Sequence, residues 1–218
     1  MTQHASKAFR GALLSSPLGR IRLGICDGGI SSLDFEEGTV ASQDAQHFKP
    51  SHGTINGLQI RTFRLAQDEE QELLPMHEAD SDNSCKLIED SLSGDVSGAD
   101  LALMRKAASE LDQYFHGNLR VFSVPLQLHG SEFQRRIWQS LIEIPFGSSL
   151  SYGELAQKAG YSSASYGRAA GTAVGSNPVS IIVPCHRIVS KDGKMTGYSG
   201  GLWRKLRLLS LEGFSIAA

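Results

Sequence analysis

No apolar run in this 218-residue chain is long enough to cross a bilayer, and Met1–Arg10 lacks the apolar core of a secretory leader. No membrane partner is therefore expected, and the expected setting is cytoplasmic (nuclear only in a eukaryotic source). Cysteine is scarce. Cys26, Cys85 and Cys185 are odd in number and widely spaced, which excludes a disulfide scaffold and a CxxC metal knuckle and fits a reducing compartment. Net charge is also low, at −2, but this hides a split. Residues 1–100 hold eight Lys/Arg against sixteen Asp/Glu, and residues 101–218 hold thirteen against seven. A basic half suits a polyanion such as nucleic acid, although such a half is more often simply a solvated face. With 40% hydrophobic and 20% charged residues, the chain is long enough for one large domain or two small ones.

The first part reads as β structure. Phe9–Ser15 leads into the turn Ser16-Pro17-Leu18-Gly19, after which Ile21, Leu23 and Ile25 alternate with Arg20, Arg22 and Gly24. Asp27-Gly28-Gly29 predicts a tight turn, with Ile30–Phe35 returning as a third strand of an antiparallel meander. Residues 66–100 crowd Asp68, Glu69, Glu70, Glu72, Glu78, Asp80 and Asp82 together and read as an exposed acidic insertion.

Asp100 is the expected cap of a helix bearing Met104, Ala108, Leu111 and Phe115. A second helix starts near Ser131, with Phe133, Ile137, Trp138 and Leu141 as its apolar stripe. Ser151-Tyr152-Gly153-Glu154 matches a capping box for a short helix to about Lys158. A turn through Gly160 and Tyr161 and a segment from about Ala164 to Val174 complete an expected helix-turn-helix. In its second helix Arg168-Ala169-Ala170-Gly171-Thr172-Ala173 carries almost no bulk, which allows close approach either to a packed helix or to a nucleic-acid groove.

Pro184-Cys185-His186-Arg187 follows Ile181-Ile182-Val183, which predicts a nucleophile and a potential base side by side at the end of a buried strand. Alone, such a cysteine is more often a small hydrophobe. Asn177 reads as a turn residue, Lys191-Asp192-Gly193-Lys194 as a hairpin turn, and Gly197-Tyr198-Ser199-Gly200-Gly201 as a glycine-rich loop. Leu202–Leu211 reads as a closing helix with Leu202, Leu206 and Leu209 inward, Gly213 as its stop, and Glu212 as an exposed terminal carboxylate.

The ensemble resembles the O6-alkylguanine-DNA alkyltransferases. The resemblance rests on the run from Asn177 to Arg187, the loop Thr196–Gly201 and the ending Leu211-Glu212-Gly213, together with Phe133–Trp138, Ile144–Gly147, Ser151–Leu155 and Arg168–Gly171; Ser15–Gly19 carries it more loosely into the first domain. It implies a small α/β first domain (an antiparallel sheet with a helix, ribonuclease-H-like), expected over 1–127, and an α-rich, winged-helix-like DNA-binding domain over 128–218. It also implies irreversible transfer of an alkyl group from O6 of guanine, or O4 of thymine, to Cys185, once per molecule. In that scheme His186 is the base acting through a water, Glu212 orients the imidazole, Tyr152 donates a proton to the leaving purine and Asn177 braces the turn behind the nucleophile. Ile188, Tyr198, Ser199 and Val174 would bound the base pocket. Arg168 would be the intercalating finger, beside Ala169, Ala170 and Gly171 in the minor groove, while Arg135, Arg136 and Lys205 would face phosphates or serve structure.

The implied partner is double-stranded DNA carrying alkylated guanine, met by a monomer, with no cofactor. Some relatives hold zinc in the first domain; Cys26 has no evident companion ligands in the sequence, so no metal is expected. Two departures stand out. The stretch Tyr161–Gly167 is longer than the family's usual turn, and the acidic segment has no counterpart.

Overall fold

A computed structural model describes residues 10–36, 48–55, 58–65, 84–191, 197–214 and 216–217. In chain order the elements are β1 (Arg10–Ser15), β2 (Ile21–Cys26), β3 (Gly29–Phe35), β4 (Phe48–Ile55), β5 (Leu58–Leu65), β6 (Lys86–Ser93), α1 (Gly98–Phe115), α2 (Glu132–Ile142), β7 (Leu150–Ser151), α3 (Tyr152–Lys158), α4 (Ser163–Gly175), β8 (Ile188–Val189), α5 (Leu202–Leu211) and β9 (Ile216–Ala217). Among the described residues no helix is long and apolar enough to cross a membrane.

The expected meander is present. β1 pairs antiparallel with β2 through Leu14↔Ile21, and β2 with β3 through Cys26↔Gly29. Asp27 (φ 49°) and Gly28 (φ 74°) both adopt positive φ, the two-residue turn whose twist matches the flanking strands. The sheet has four strands in the order β3-β2-β1-β6. Its buried face (Leu14, Ile21, Leu23, Leu33) faces a core shared with Met104, Ala107, Leu111 and Tyr114 of α1. Glu110, buried on α1, binds the segment after the helix: its carboxylate accepts from the backbone N–H groups of Ser123 (2.8 Å) and Val124 (3.3 Å). Ile30 then pairs with Leu126 in an isolated parallel bridge.

Two expectations for this region are corrected. Residues 86–93 are not part of an acidic insertion; they form β6 along the edge of β1, and the remaining candidate stretch, 66–83, lies outside the described residues. Asp100 is not the cap of α1. Ser97 caps it, its hydroxyl accepting from the Asp100 N–H at 3.1 Å, while the Asp100 carboxylate accepts from Ser97 N–H, also at 3.1 Å. Asp100 also pairs with Arg10 (2.8 Å), and its carboxyl lies below the ordinary range, chiefly through its bond to Ser97.

The chain divides into two compact units that are not contiguous in sequence: residues 1–36 with 82–129, and 37–81 with 130–218. The expected division at 127/128 lies close to the second junction. The hairpin of β4 and β5 nevertheless groups with the second unit, because β5 pairs in parallel with β9 at Phe63↔Ile216.

The second unit is mainly helical. Ser131 and Gln134 form a capping box at α2, and Ser151 and Glu154 form another at α3. Gly160, at φ 86°, turns the chain from α3 into α4, giving the expected helix-turn-helix. Trp138 locks α4 to α2: its indole N–H donates to the Ala173 carbonyl at 2.8 Å. Val189, Leu206 and Leu209 make the core beneath α5, with Leu202 and Phe214 packed on it. The turn expected at Lys191–Lys194 falls mostly outside the described residues.

The cap at Ser97 gives a stability test. Ser97→Ala is expected to cost about 1 kcal/mol in urea unfolding, because the Asp100 N–H loses its acceptor and the Asp100 carboxylate loses the hydroxyl donor. An unchanged midpoint would show that the Arg10–Asp100 pair alone holds that helix end.

Candidate active site

Cys185 does not sit at the end of a strand. Ile181–Val183 make a bend instead, because Ile181 adopts φ 71° and its neighbours close a tight turn, with the Ile182 N–H donating to the Ser180 carbonyl at 2.8 Å. A second tight turn, centred on Pro184 (φ −81°, ψ 64°), has the Cys185 N–H donating to the Val183 carbonyl at 2.8 Å. Proline already holds φ near this value, which helps fix the turn. Cys185, His186 and Arg187 then form one turn of 3-10 helix, all three buried, leading into β8.

Asn177 binds this loop from behind. Its side-chain carbonyl accepts from Val179 N–H (3.1 Å), while its amide donates to the Val183 carbonyl (2.8 Å) and to Cys185 Sγ (3.1 Å). A donor aimed at sulfur favours the thiolate over the thiol, since the bond strengthens with charge. The two other cysteines differ from Cys185. Burial, with Asp112 adding to it, pushes the Cys85 thiol up to about 12, so it stays protonated; Cys26 is half-buried in the first unit.

Glu212 is not an exposed carboxylate. It is 4% exposed at the C-cap of α5 and collects donors from two other segments. His186 Nε2 donates to it at 2.9 Å, Arg187 donates through Nε (2.9 Å) and Nη2 (2.8 Å), and Gly147 N–H donates at 3.2 Å. Gly147 has φ 73°, and a Cβ there would lie 3.1 Å from the Glu212 backbone oxygen, so glycine suits this position twice over. Burial alone would raise the Glu212 carboxyl, but the bonds from His186 and Arg187 overcome it and hold it down at about 2.

A carboxylate only accepts, so the imidazole proton facing it sits on Nε2. Burial lowers the His186 pKa despite the opposing carboxylate, and Arg187 and Lys205 add to that lowering, which leaves a neutral ring. Its Nδ1 is then a bare lone pair, buried and without a hydrogen-bond partner among the described residues. The result is an acceptor nitrogen on the residue next to the thiol.

Several expected site residues are placed differently. Lys205 cannot meet phosphate: it is 1% exposed, and its ammonium donates to the Ile188 carbonyl at 2.6 Å. Burial pushes Lys205 down to about 8, with a charge on Cys185 acting the other way. The carbonyl of Ile188, a residue expected to bound the base pocket, thus already accepts from Lys205. Ala170 is fully buried, because the helical period puts it on the inward face with Ala173 and Val174; Arg168, Ala169 and Thr172 are exposed instead, and Gly171 lies half-buried near the Tyr152 ring. Arg135 is exposed and donates to the Gly130 carbonyl (3.1 Å), while Arg136 pairs with Glu132 (2.9 Å). Tyr152 is half-buried in the first turn of α3, Tyr198 is half-buried and Ser199 exposed in the glycine-rich loop.

Sequence reasoning missed Arg187 as a site residue, although it adjoins His186 in the motif. It also missed the companions of Cys26: in the first unit Cys26, Asp27 and His129 bring ligand atoms within 4.8 Å of one another, with Cys26 Sγ 3.5 Å from the Asp27 carboxylate. A closed structural zinc site takes four ligands, and the described residues supply three.

The second unit thus sets a thiol beside an imidazole–carboxylate–guanidinium array in a helix-turn-helix scaffold. Residues 10–128 match the family description "6-O-methylguanine DNA methyltransferase, ribonuclease-like domain", and residues 132–214 match "6-O-methylguanine DNA methyltransferase, DNA binding domain". The chain belongs to the 6-O-methylguanine DNA methyltransferase family. It is 51% identical over 107 residues to the methylated-DNA–protein-cysteine methyltransferase of Mycobacterium leprae, covering 49% of this chain and 64% of the relative. The protein of the same name from Methanosarcina acetivorans is 49% identical over 109 residues, covering 50% and 69%. The match therefore spans just under two thirds of the Mycobacterium leprae relative's length. Among solved structures, Mycobacterium tuberculosis O6-methylguanine methyltransferase is similar with TM-score 0.62 and 29% identity over 94% of this chain and 92% of that one. A structure of Mycobacterium tuberculosis OGT in complex with DNA gives TM-score 0.61 and 29% identity over 94% of each chain.

The charge assignment at Glu212 carries a pH test. Its folded pKa is depressed, so the stability it contributes is present above the ordinary 4.5 and is lost as pH falls toward about 2. Glu212→Gln is expected to lose about 3 kcal/mol at pH 7, measured by urea unfolding, and the deficit should shrink by pH 3. A deficit independent of pH would mean that packing, not charge, is what the substitution removes.

Proposed function

We propose that this protein repairs alkylated DNA by transferring the alkyl group of O6-alkylguanine, and of O4-alkylthymine, to Cys185. The observation that carries the reading is the array of Asn177, Cys185, His186 and Glu212: a sulfur with a donor behind it and a neutral, carboxylate-oriented base beside it. The Cys185 proton passes to His186 Nδ1 through a bridging water. Sulfur attacks the alkyl carbon in line; the S–C bond forms as the C–O6 bond breaks. Guanine leaves with the bonding electrons and takes a proton from Tyr152, so no free purine anion is released.

A thioether is not readily hydrolysed, and no second nucleophile attends Cys185 among the described site residues. Each molecule therefore reacts once, without a cofactor. O6 is inaccessible in a stacked duplex, so the nucleotide must rotate out, at a cost of a few kcal/mol. Exposed Arg168, flanked by Ala169 and Thr172 on the outer face of α4, enters the minor groove and fills the space left in the stack. A monomer suffices for this, in a cytoplasm reducing enough to keep the thiol free.

Incubation with duplex DNA containing O6-methylguanine, followed by peptide mass analysis, is expected to find one methyl group on the Cys185 peptide and none in Cys185→Ala. Unmodified protein that binds the duplex tightly would instead identify a non-reacting lesion binder. His186→Ala is expected to slow methyl transfer about 100-fold at pH 7. That loss should narrow as pH rises through the ordinary cysteine range, and a rate ratio constant with pH would remove His186 as the base.

A further inference from the structure

We propose that Phe133, Tyr161 and Tyr166 form an aromatic clamp that positions the Arg168 turn of α4, a proposal that rests on reading Arg168 as the element that replaces the extruded nucleotide. The three rings pack mutually: Phe133–Tyr161 at 4.9 Å, Tyr161–Tyr166 at 5.0 Å and Phe133–Tyr166 at 5.9 Å between centroids. They come from three places, namely the first turn of α2, the turn after α3 and the first turn of α4.

The leading half of α4 buries few side chains of its own. Ser162 stands at its N-cap without a side-chain cap bond, and no acidic residue occupies the first turn. Gly167 and Gly171 are poor helix formers, each weakening the helix by about 1 kcal/mol relative to alanine. The buried residues of α4 are Ala170, Ala173 and Val174, all beyond Arg168. Residues 163–169 are exposed apart from Gly167, which is half-buried. Tyr166 is itself 41% exposed, yet its ring bridges the two others, and it lies one helical turn before Ala170 on the same face. The clamp thus extends the inward face of α4 forward by one turn, past the position of Arg168. Arg168 points away from that face, so Tyr166 acts on it only by fixing the backbone.

That division sets the test. A fixed backbone at Arg168 matters when a nucleotide must be extruded from a duplex and not when the damaged base is offered free. The measurement is the rate of alkyl transfer to Cys185 from duplex DNA containing O6-methylguanine and from free O6-methylguanine base, for the unaltered protein, Tyr166→Ala, Tyr166→Phe, Arg168→Ala and the double variant. Tyr166→Ala is expected to lower the duplex rate about tenfold relative to the free-base rate, with Tyr166→Phe restoring it, since the ring and not the hydroxyl makes the contact. The double variant should be no slower on duplex than Arg168→Ala alone, because a clamp without its finger has nothing to position.

The outcomes separate the two ideas. If Arg168→Ala leaves the duplex rate intact, the finger reading fails. If Arg168→Ala is slow but Tyr166→Ala is not, or if the two losses multiply in the double variant, the clamp is refuted while the finger stands. Equal loss on duplex and free base by Tyr166→Ala would reveal a general packing role and also overturn the proposal.

Discussion

The second unit depends on one buried carboxylate. Glu212 ends α5, and its oxygens accept from the 3-10 turn of Cys185–Arg187 and from the bend at Gly147. Two oxygens offer about four acceptor positions, and four donor groups meet them, which is why a charge can sit there at all. Arg187 supplies the compensating positive charge for the carboxylate. Burial is the main reason His186 stays neutral, with Arg187 and Lys205 adding to it, and a neutral ring leaves Nδ1 a lone pair to offer.

The nucleophile is then placed by backbone that is locally unfavourable. A β-branched residue in the left-handed region costs roughly 1–2 kcal/mol, and Ile181 occupies it at φ 71°. It persists because Ile181 is fully buried between Val179 and Val183, which are also fully buried, and because Asn177 bonds both ends of the bend. The strain has a geometric consequence: a regular strand through residues 181–185 would alternate its side chains across two faces. Two tight turns in succession instead bring Cys185 Sγ under the Asn177 amide. Lys205 completes the setting from α5, holding the carbonyl just after the turn and adding positive charge near the sulfur.

How much of this was legible in the sequence varied with the range of the interaction. The meander over Arg10–Phe35, the helix start near Ser131, the capping box at Ser151 and the stripe of α5 depend on periodicity and neighbours within four residues, and they could be read directly. The motif around Cys185 gave the reactive residues as a group, through resemblance. What failed depended on contacts distant in sequence. β6 looked like part of the acidic insertion because it follows the crowded acids of residues 68–82, and only its pairing with β1 makes it a strand. Lys205 looked like a surface cation until its carbonyl partner seventeen residues earlier was known, and Ala170 was grouped with its neighbours although one residue of shift turns a helical side chain from outside to inside. Strain at Ile181 left no trace in composition, since isoleucine reads as strand.

α4 shows how two demands on one helix are reconciled. Its inner face is made of alanine because α2 and α3 lie close: Trp138 bonds the Ala173 carbonyl, and Gly153 of α3 approaches Ser163 closely enough that a Cβ would sit 3.5 Å away. Its outer face is also small, at Ala169 and Thr172, which leaves the helix thin on both sides. Small residues bury little area, so such a helix gains little from packing along its length. Stability must then enter at its ends. At the far end Ser176 and Asn177 receive the chain into the nucleophile loop, with the Asn177 N–H donating to the Val174 carbonyl at 3.2 Å. At the near end aromatic rings supply the area that the alanines lack. Bulk is thereby kept off the helix faces, where it would block close approach, and concentrated where the chain enters and leaves.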